Sequence, residues 1–432
     1  MKAKSLAYEE KLETLLVRSG IDRLDVQHQQ FLRHRSLEFR FTQQQLRQLS
    51  DIAVDLVMWG ERPLYEIWPE IETTKLDPKQ RRQRLLQLMQ QHWRQLQQTP
   101  KHYPPLPVTD GQAVQRIRRI DSDKDKLALG PCPVASTRTR CCNLMTLDAV
   151  ENCGFDCSYC SIQSFYHGDE VRFDRQFAQK LAKLEIDPGR IYHIGTGQSS
   201  DSLMWGNHGG ILDALLDFAH RHPNVILELK SKSKNINHLM KADLPPNLLC
   251  TWSLNTPTLI AHEERLTASM EDRLNAARRV ADQGALVGFH FHPMIHYADW
   301  REDYGDLFQQ LTEQFSADEV ALVSLGTLTY IKPVIRQLRA RSGFSSKILQ
   351  MPMVESDGKL SYPRTIKEEM FSFAYRSLQL WHDEVFFYLC MENQRLWQTV
   401  FGFDYPSNQA FEEAMKQAYL NKIHNREKRD GQ

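Results

Sequence analysis

The sequence predicts an α/β protein: a partial (β/α)6 barrel with a helical N-terminal extension and C-terminal helices. Three observations carry that expectation. Residues 1–100 place apolar side chains at helical spacing. From about residue 140, short β-branched or apolar runs alternate with helical stretches, the pattern of βα units around a parallel sheet. The chain has 432 residues, enough for one large domain plus an appendage.

In the first hundred residues Leu12, Leu15 and Leu16 recur at helical spacing. So do Ile52, Val54, Leu56 and Val57, then Leu85, Leu86, Leu88 and Met89. Asp77-Pro78 reads as a helix start, with Asp at the cap and Pro in the first turn. The stretch is Gln-rich but keeps its apolar period, so it is expected to fold. Residues 99–108 form a Pro-rich linker. Strands are expected over 144–150, 190–194, 225–229, 249–254, 285–292 and 319–325. Helices are expected over 173–184, 210–221 and 271–283, with C-terminal helices over 368–381 and 409–420. The expected divisions are a helical region, 1–125, a barrel, 126–335, and a C-terminal region packing on it, 336–432. In such barrels chemistry sits on the loops at the C-terminal ends of the strands.

Composition is ordinary for a globular chain, 41% hydrophobic and 25% charged. No apolar run approaches the roughly 18 residues a membrane helix needs, so no membrane partner is expected. The N-terminal stretch carries acidic residues and no apolar core, so a cytoplasmic location is expected. In a reducing compartment the eight cysteines read as metal ligands, reactive thiols or small buried residues rather than disulfides. The 54 basic residues balance the 54 acidic ones. A charge footprint for nucleic acid must therefore be local. A basic surplus of five falls in residues 1–130, concentrated at Arg81-Arg82-Gln83-Arg84 and Arg116-Ile117-Arg118-Arg119. Its plain reading is a solvated helix face, with a nucleic-acid contact as the alternative.

The sharpest signal is Cys153-Gly-Phe-Asp-Cys157-Ser-Tyr-Cys160, directly after the first expected strand. Ferredoxin-type clusters take four cysteines. Three thiolates on one loop leave one iron of a 4Fe–4S cluster open, the arrangement that lets S-adenosylmethionine (SAM) chelate iron and be cleaved to a 5′-deoxyadenosyl radical. Zinc sites prefer a second CxxC pair or later histidines, and none follows here. Tyr159 stands where such enzymes set a ring against adenine. After the second expected strand, Gly195 and Gly197 in His193-Ile-Gly-Thr-Gly-Gln-Ser-Ser-Asp201 allow close backbone approach to a ligand.

Together these residues resemble the spore photoproduct lyase family of radical SAM enzymes. The resemblance runs from about residue 140 to 405, through CGFDCSYC, GTGQSSDSL, LELKSKSKN, TWSLNT, the 263–295 stretch and YLCMEN. It implies a lyase-type DNA-repair chemistry in which a thymine dimer is reversed by hydrogen abstraction and return. It implies Cys153, Cys157 and Cys160 for the cluster, and Tyr159, Gly195, Gly197, Ser199, Lys232 and Ser253 for SAM. Expected partners are DNA or a modified nucleotide and a reductant such as flavodoxin or ferredoxin; the sequence does not fix an oligomeric state. Two positions depart from the family. Its thiol hydrogen donor falls on Gln198, which cannot give a hydrogen atom to a carbon radical, and its second tyrosine falls on Ser161. Alternatives are a radical SAM enzyme acting on a peptide or small molecule, and a non-enzymatic Fe–S regulator.

Cys390 is a replacement hydrogen donor reaching the mouth from the C-terminal region. Cys141-Cys142 reads as a buried structural pair on the far side of the barrel from the mouth, and Cys132 and Cys250 as small buried or loop residues. His290 and His292 share a strand face, with His296 in the loop beyond. Of Lys230, Lys232 and Lys234, one inward lysine is expected to meet SAM. Trp252, Trp300 and Trp381 read as packing.

Overall fold

A computed structural model describes residues 2–71, 76–105, 117–132, 139–165, 169–341, 343–356 and 358–430. The chain divides into two compact units: residues 1–102 with 330–353, and residues 103–329 with 354–432. Arg116 of the second basic cluster lies outside the described residues.

The first unit is helical. Its long helices are Lys2–Ser19, Val26–Phe39, Gln43–Trp59 and Pro78–Gln98, joined by Lys332–Ala340. Local chemistry starts three of them. Asp25 accepts from the His28 amide, and Thr42 and Asp77 form capping boxes with Gln45 and Gln80. Leu12, Leu16, Leu46, Leu49, Leu56, Leu85 and Met89 make the core. Val57 is half exposed, off the buried stripe. The basic cluster at 81–84 is partly consumed at home: Arg81 pairs with Glu38 at 3.3 Å, and Arg82 donates to the Phe39 and Arg40 carbonyls.

The second unit is built on an eight-stranded sheet whose spatial order follows the chain. Its strands are β1 (Leu129–Pro131), β2 (Met145–Leu147), β3 (Tyr192–Thr196), β4 (Val225–Ser231), β5 (Leu248–Ser253), β6 (Leu286–Met294), β7 (Val320–Thr327) and β8 (Phe386–Leu389). Strands β2 to β8 run parallel, while β1 is antiparallel to β2. Helices Phe177–Ala182, Ile211–Arg221, Met270–Asp282, Trp300–Gln314 and Arg364–Ser377 lie between strands, and Asn408–Asp430 follows β8. Every residue of β5 and β7 is buried, as strands covered on both faces require.

This is the expected partial barrel with helices at both ends, its six foreseen strands being β2 to β7. Strand β8 extends the parallel set, and β1 adds an antiparallel edge. The 144–150 run is interrupted: β2 stops at Leu147, and Val150–Glu151 pairs instead with Glu170–Asp174 in a small separate sheet. Asp148 between them accepts from the Ser199 amide at 3.1 Å. The curl brings the two ends of the sheet together. The Arg140 amide donates to the Glu392 carbonyl at 3.0 Å, and the Arg140 guanidinium holds Asp404 by two 2.9 Å bonds.

Candidate active site

The cysteine loop is shaped before any ligand is considered. Asn152, at φ +69°, accepts the Cys153 amide on its Oδ1 at 2.8 Å and donates from Nδ2 to the Glu170 carbonyl at 2.9 Å. Asp156–Cys157 pairs antiparallel with Glu264–Arg265, Cys157 opposite Glu264. The Cys160 amide turns back to the Cys157 carbonyl at 3.2 Å, and Gln163 Nε2 donates to the Cys160 carbonyl at 2.7 Å. The loop thus fixes its own backbone, and the Phe155 amide reaches the Cys153 sulfur while the Ile162 and Gln163 amides reach that of Cys160.

All three thiols face one cavity of about 300 Å³ inside the curled sheet. Tyr159, Gly197, Lys232 and Ser253 face it as well. Burial pushes the Cys153, Cys157 and Cys160 thiols up, and the Lys232 ammonium pulls each of them down. All eight cysteines are described and none is in a disulfide. Among the described residues no three His, Cys, Asp or Glu side chains are gathered tightly enough for a single ion. Three thiols on one loop beside a cation are a donor set that fits a larger, anionic cluster with one open corner.

Behind the thiols lies a buried polar cluster. Arg273 Nη2 donates to Glu264 Oε2 at 2.6 Å, and its Nη1 donates to the Ser253 carbonyl at 2.8 Å. The Tyr159 hydroxyl donates to Glu264 Oε1. Lys232 Nζ stands 3.8 Å from the same oxygen and 5.6 Å from the Tyr159 ring centre. Burial pushes the Glu264 carboxyl up, but Arg273 and Lys232 overcome it and hold it at about 2. Asp201 ties the two glycine-bearing and lysine-bearing loops together. It accepts from the Leu203, Met204 and Lys232 amides and from Ser231 Oγ, at 2.7 to 3.0 Å. Gly197 has φ +84°, and a Cβ there would fall 2.6 Å from the Lys230 carbonyl oxygen.

Deeper in the lumen, Glu228 accepts from His193 Nε2 at 2.8 Å, from His290 Nε2 at 2.7 Å and from Thr251 Oγ1 at 2.8 Å. Burial pushes His290 down to about 4, so its ring is neutral, and the Nδ1 atoms of both histidines have no partner. His292 bonds Ser324 Oγ at 2.7 Å and is likewise pushed down by burial. Lys230 faces the same space. This network escaped sequence reading, although a glutamate inside the apolar 225–229 run was its available signal.

The remaining candidates separate cleanly. Cys390, Gln198 and Ser161 face the cavity. Ser199 is not among its lining residues: its hydroxyl donates to the Val150 carbonyl at 2.7 Å. Gly195, inside β3, lies against Leu144. Cys142 and Cys132 also face the cavity, which corrects the reading of Cys142 as remote from it. Cys142 shares the inward face with Leu144 by period two, and the lumen reaches down past the start of β2. Cys250 and Cys141 are buried and neither lines the cavity, as their reading expects. Lys234 points away to Asp272 at 3.0 Å, while the His296 ring packs on Trp300. Trp252, Trp300 and Trp381 are buried packing residues, as expected.

The curled, mostly parallel sheet is a partial barrel with a three-cysteine loop at its mouth. Over part of its length the chain is similar to spore photoproduct lyases. A family model described as spore photoproduct lyase matches residues 149–345. The spore photoproduct lyase of Geobacillus sp. (strain Y412MC61) is 26% identical over 196 residues, covering 44% of this chain and 58% of that protein. That of Clostridium acetobutylicum is 22% identical over 181 residues, covering 40% and 53%. The chain thus spans little more than half the length of these relatives. A solved spore photoproduct lyase mutant superimposes with TM-score 0.53 at 18% identity, over 65% of this chain and 88% of that one. Another mutant, with bound AdoMet and dinucleoside spore photoproduct, gives 0.51 at 18% identity, with the same coverage.

Proposed function

We propose that the protein is a radical SAM enzyme of the spore photoproduct lyase type, acting on a damaged or modified DNA base. The convergence of Cys153, Cys157 and Cys160 on one cavity with Gly197, Lys232 and Ser253 carries the reading. Cys153, Cys157 and Cys160 would hold a 4Fe–4S cluster, which with SAM supplies the 5′-deoxyadenosyl radical that abstracts hydrogen. The chain's own contributions follow from its geometry. Lys232 offsets the negative charge of three thiolates and offers an ammonium to a carboxylate. Gly197 lets the cavity wall close tightly against the Lys230 carbonyl, where a side chain would not fit. Tyr159, held by Glu264, presents an immobile ring face to the cavity. Asp201 fixes the loops that carry Gln198 and Lys232, so the cavity wall is set in advance. The bound AdoMet and dinucleoside spore photoproduct of the structural relative support SAM as cofactor and a lesion-bearing nucleotide as substrate. We further assign a cytoplasmic location, an electron donor of the flavodoxin or ferredoxin class, and SAM-loop positioning to Gly195 and Ser199.

The test is anaerobic reconstitution with iron and sulfide, then addition of SAM and a one-electron reductant. The protein should release 5′-deoxyadenosine; a fully cluster-loaded sample that never does so defeats the reading. A second reading, the same radical chemistry on a peptide or small molecule, draws on the zero net charge and on Gln198 in the family's thiol place. Duplex-DNA binding measured across salt separates the two, since a DNA enzyme loses affinity steeply as salt rises.

A further inference from the structure

Six of the eight cysteines face the cavity, and only three belong to the cluster loop. The other three, Cys132, Cys142 and Cys390, come from segments far apart in sequence. They line the cavity where the two ends of the curled sheet approach each other. The Cys390 amide extends the ladder beyond β8 by donating to the Leu325 carbonyl at 2.8 Å. The Cys132 amide does the same beyond β1, donating to the Leu144 carbonyl at 2.9 Å. The bond from the Arg140 amide to the Glu392 carbonyl lays residues 140–142 beside 390–392. Lys230 reaches the same space with no hydrogen bond on its ammonium.

Resting on the radical reading above, we propose that Cys390 and Cys142 form a redox-active thiol pair that quenches the substrate radical and closes as a disulfide. The hydrogen-donor role that Gln198 cannot fill is thereby moved to the opposite wall of the same cavity. Cys390 gives its S–H hydrogen atom to the carbon radical, so a C–H bond forms and a thiyl radical remains. The Cys142 thiol passes its proton to the Cys141 sulfur to which it is hydrogen-bonded and bonds to that thiyl, giving a disulfide with one surplus electron. That electron leaves to a one-electron acceptor, the class to which an oxidised iron–sulfur cluster belongs. A dithiol reductant then restores both thiols with two electrons and two protons. The Lys230 ammonium lies against the negative charge that the sulfur pair carries before the electron departs. Burial pushes Cys390 up to about 12, so at neutral pH it keeps the hydrogen it must donate. Cys142 is pushed up by its hydrogen bond to Cys141 and by burial, with Cys390 adding to the rise, so it too holds its hydrogen until the thiyl forms.

The experiment uses the full chain, reconstituted and supplied with SAM, dithionite and dinucleoside spore photoproduct in D2O, with no thiol reductant. Thiol hydrogens exchange with solvent and carbon-bound ones do not. The product should therefore carry a solvent deuterium, and turnover should stop with Cys142 linked to Cys390, found by alkylation and peptide mass mapping. Product without solvent deuterium, or labelled product with Cys390 still reduced, overturns the proposal. Cys390→Ala should cut labelled product about tenfold or more; unchanged labelled product overturns it. Absence of 5′-deoxyadenosine defeats the radical reading instead, and SAM cleavage without conversion of the probe defeats the substrate reading. In both cases mild oxidation of the cluster-free chain decides the pair. Closure of Cys142 to Cys390 supports it, and any other outcome overturns it.

Discussion

Replacing Gly197 with alanine adds one methyl group within the cavity wall. Gly197 sits at φ +84°, where a residue with a Cβ costs roughly 1–2 kcal/mol. The new Cβ would lie 2.6 Å from the Lys230 carbonyl oxygen and 2.7 Å from Ser202 Oγ. The serine hydroxyl can turn aside, but the carbonyl belongs to β4 and is fixed by the sheet, so overpacking adds roughly 1–3 kcal/mol. The expected loss is about 2–5 kcal/mol, a fall in Tm of roughly 2–6 °C for a chain of 432 residues. The matched control is Gly195→Ala, whose Cβ would meet only the Leu144 side chain, at 3.1 Å, without a positive φ. It should cost about 1 kcal/mol or less. Urea titration of the full chain, with thermal melts alongside, measures both variants. Gly197→Ala matching the wild type within about 0.5 kcal/mol, or the two variants behaving alike, would refute the argument that backbone rather than side-chain contact demands this glycine.

Other outcomes follow from the buried charges. Glu264→Gln leaves Arg273 without its carboxylate and should destabilise the protein by about 3–5 kcal/mol at pH 7. Because Glu264 is held at about 2 against an ordinary 4.5, its contribution is present above pH 4.5 and lost as pH falls toward 2. The gap between wild type and variant in denaturant titrations should therefore shrink through that window, and a gap independent of pH would contradict the assignment. His290 is pushed down to about 4 from 6.5, so the unfolded chain binds the extra proton between those values. Wild-type stability should fall by about 3 kcal/mol as pH drops from 6.5 to 4, and His290→Gln should lose that segment of the profile. Lys232→Met should weaken SAM binding by about tenfold in equilibrium dialysis of the reconstituted protein; an unchanged affinity removes Lys232 from the SAM site.

Much of the barrel was legible because parallel strands buried on both faces read as continuous apolar runs, as 225–229 and 319–325 do. Strand β8 is only four residues long and follows the acidic His382-Asp-Glu384 turn, too little pattern to separate from a loop. Strand β1 contains Gly130 and Pro131, which argue against a strand; it exists because its neighbour β2 supplies the hydrogen bonds. The cluster thiols were legible because their spacing is local. The opposing thiols were not, since Cys132, Cys142 and Cys390 are brought together only by closure of the sheet. The same holds for Glu228 with His193 and His290, which sit on three different strands and meet through register and curl. Ser199 shows the converse: its position in the motif suggested ligand contact, while its hydroxyl is committed to the Val150 carbonyl.

The central claim is that three thiols grip a cluster and leave one iron open. Electron paramagnetic resonance of the anaerobically reconstituted, reduced protein tests it most directly, recorded with and without SAM. The account predicts a 4Fe–4S signal that changes shape when SAM is added and disappears in Cys157→Ala. A signal indifferent to SAM, or one that survives loss of Cys157, would contradict it.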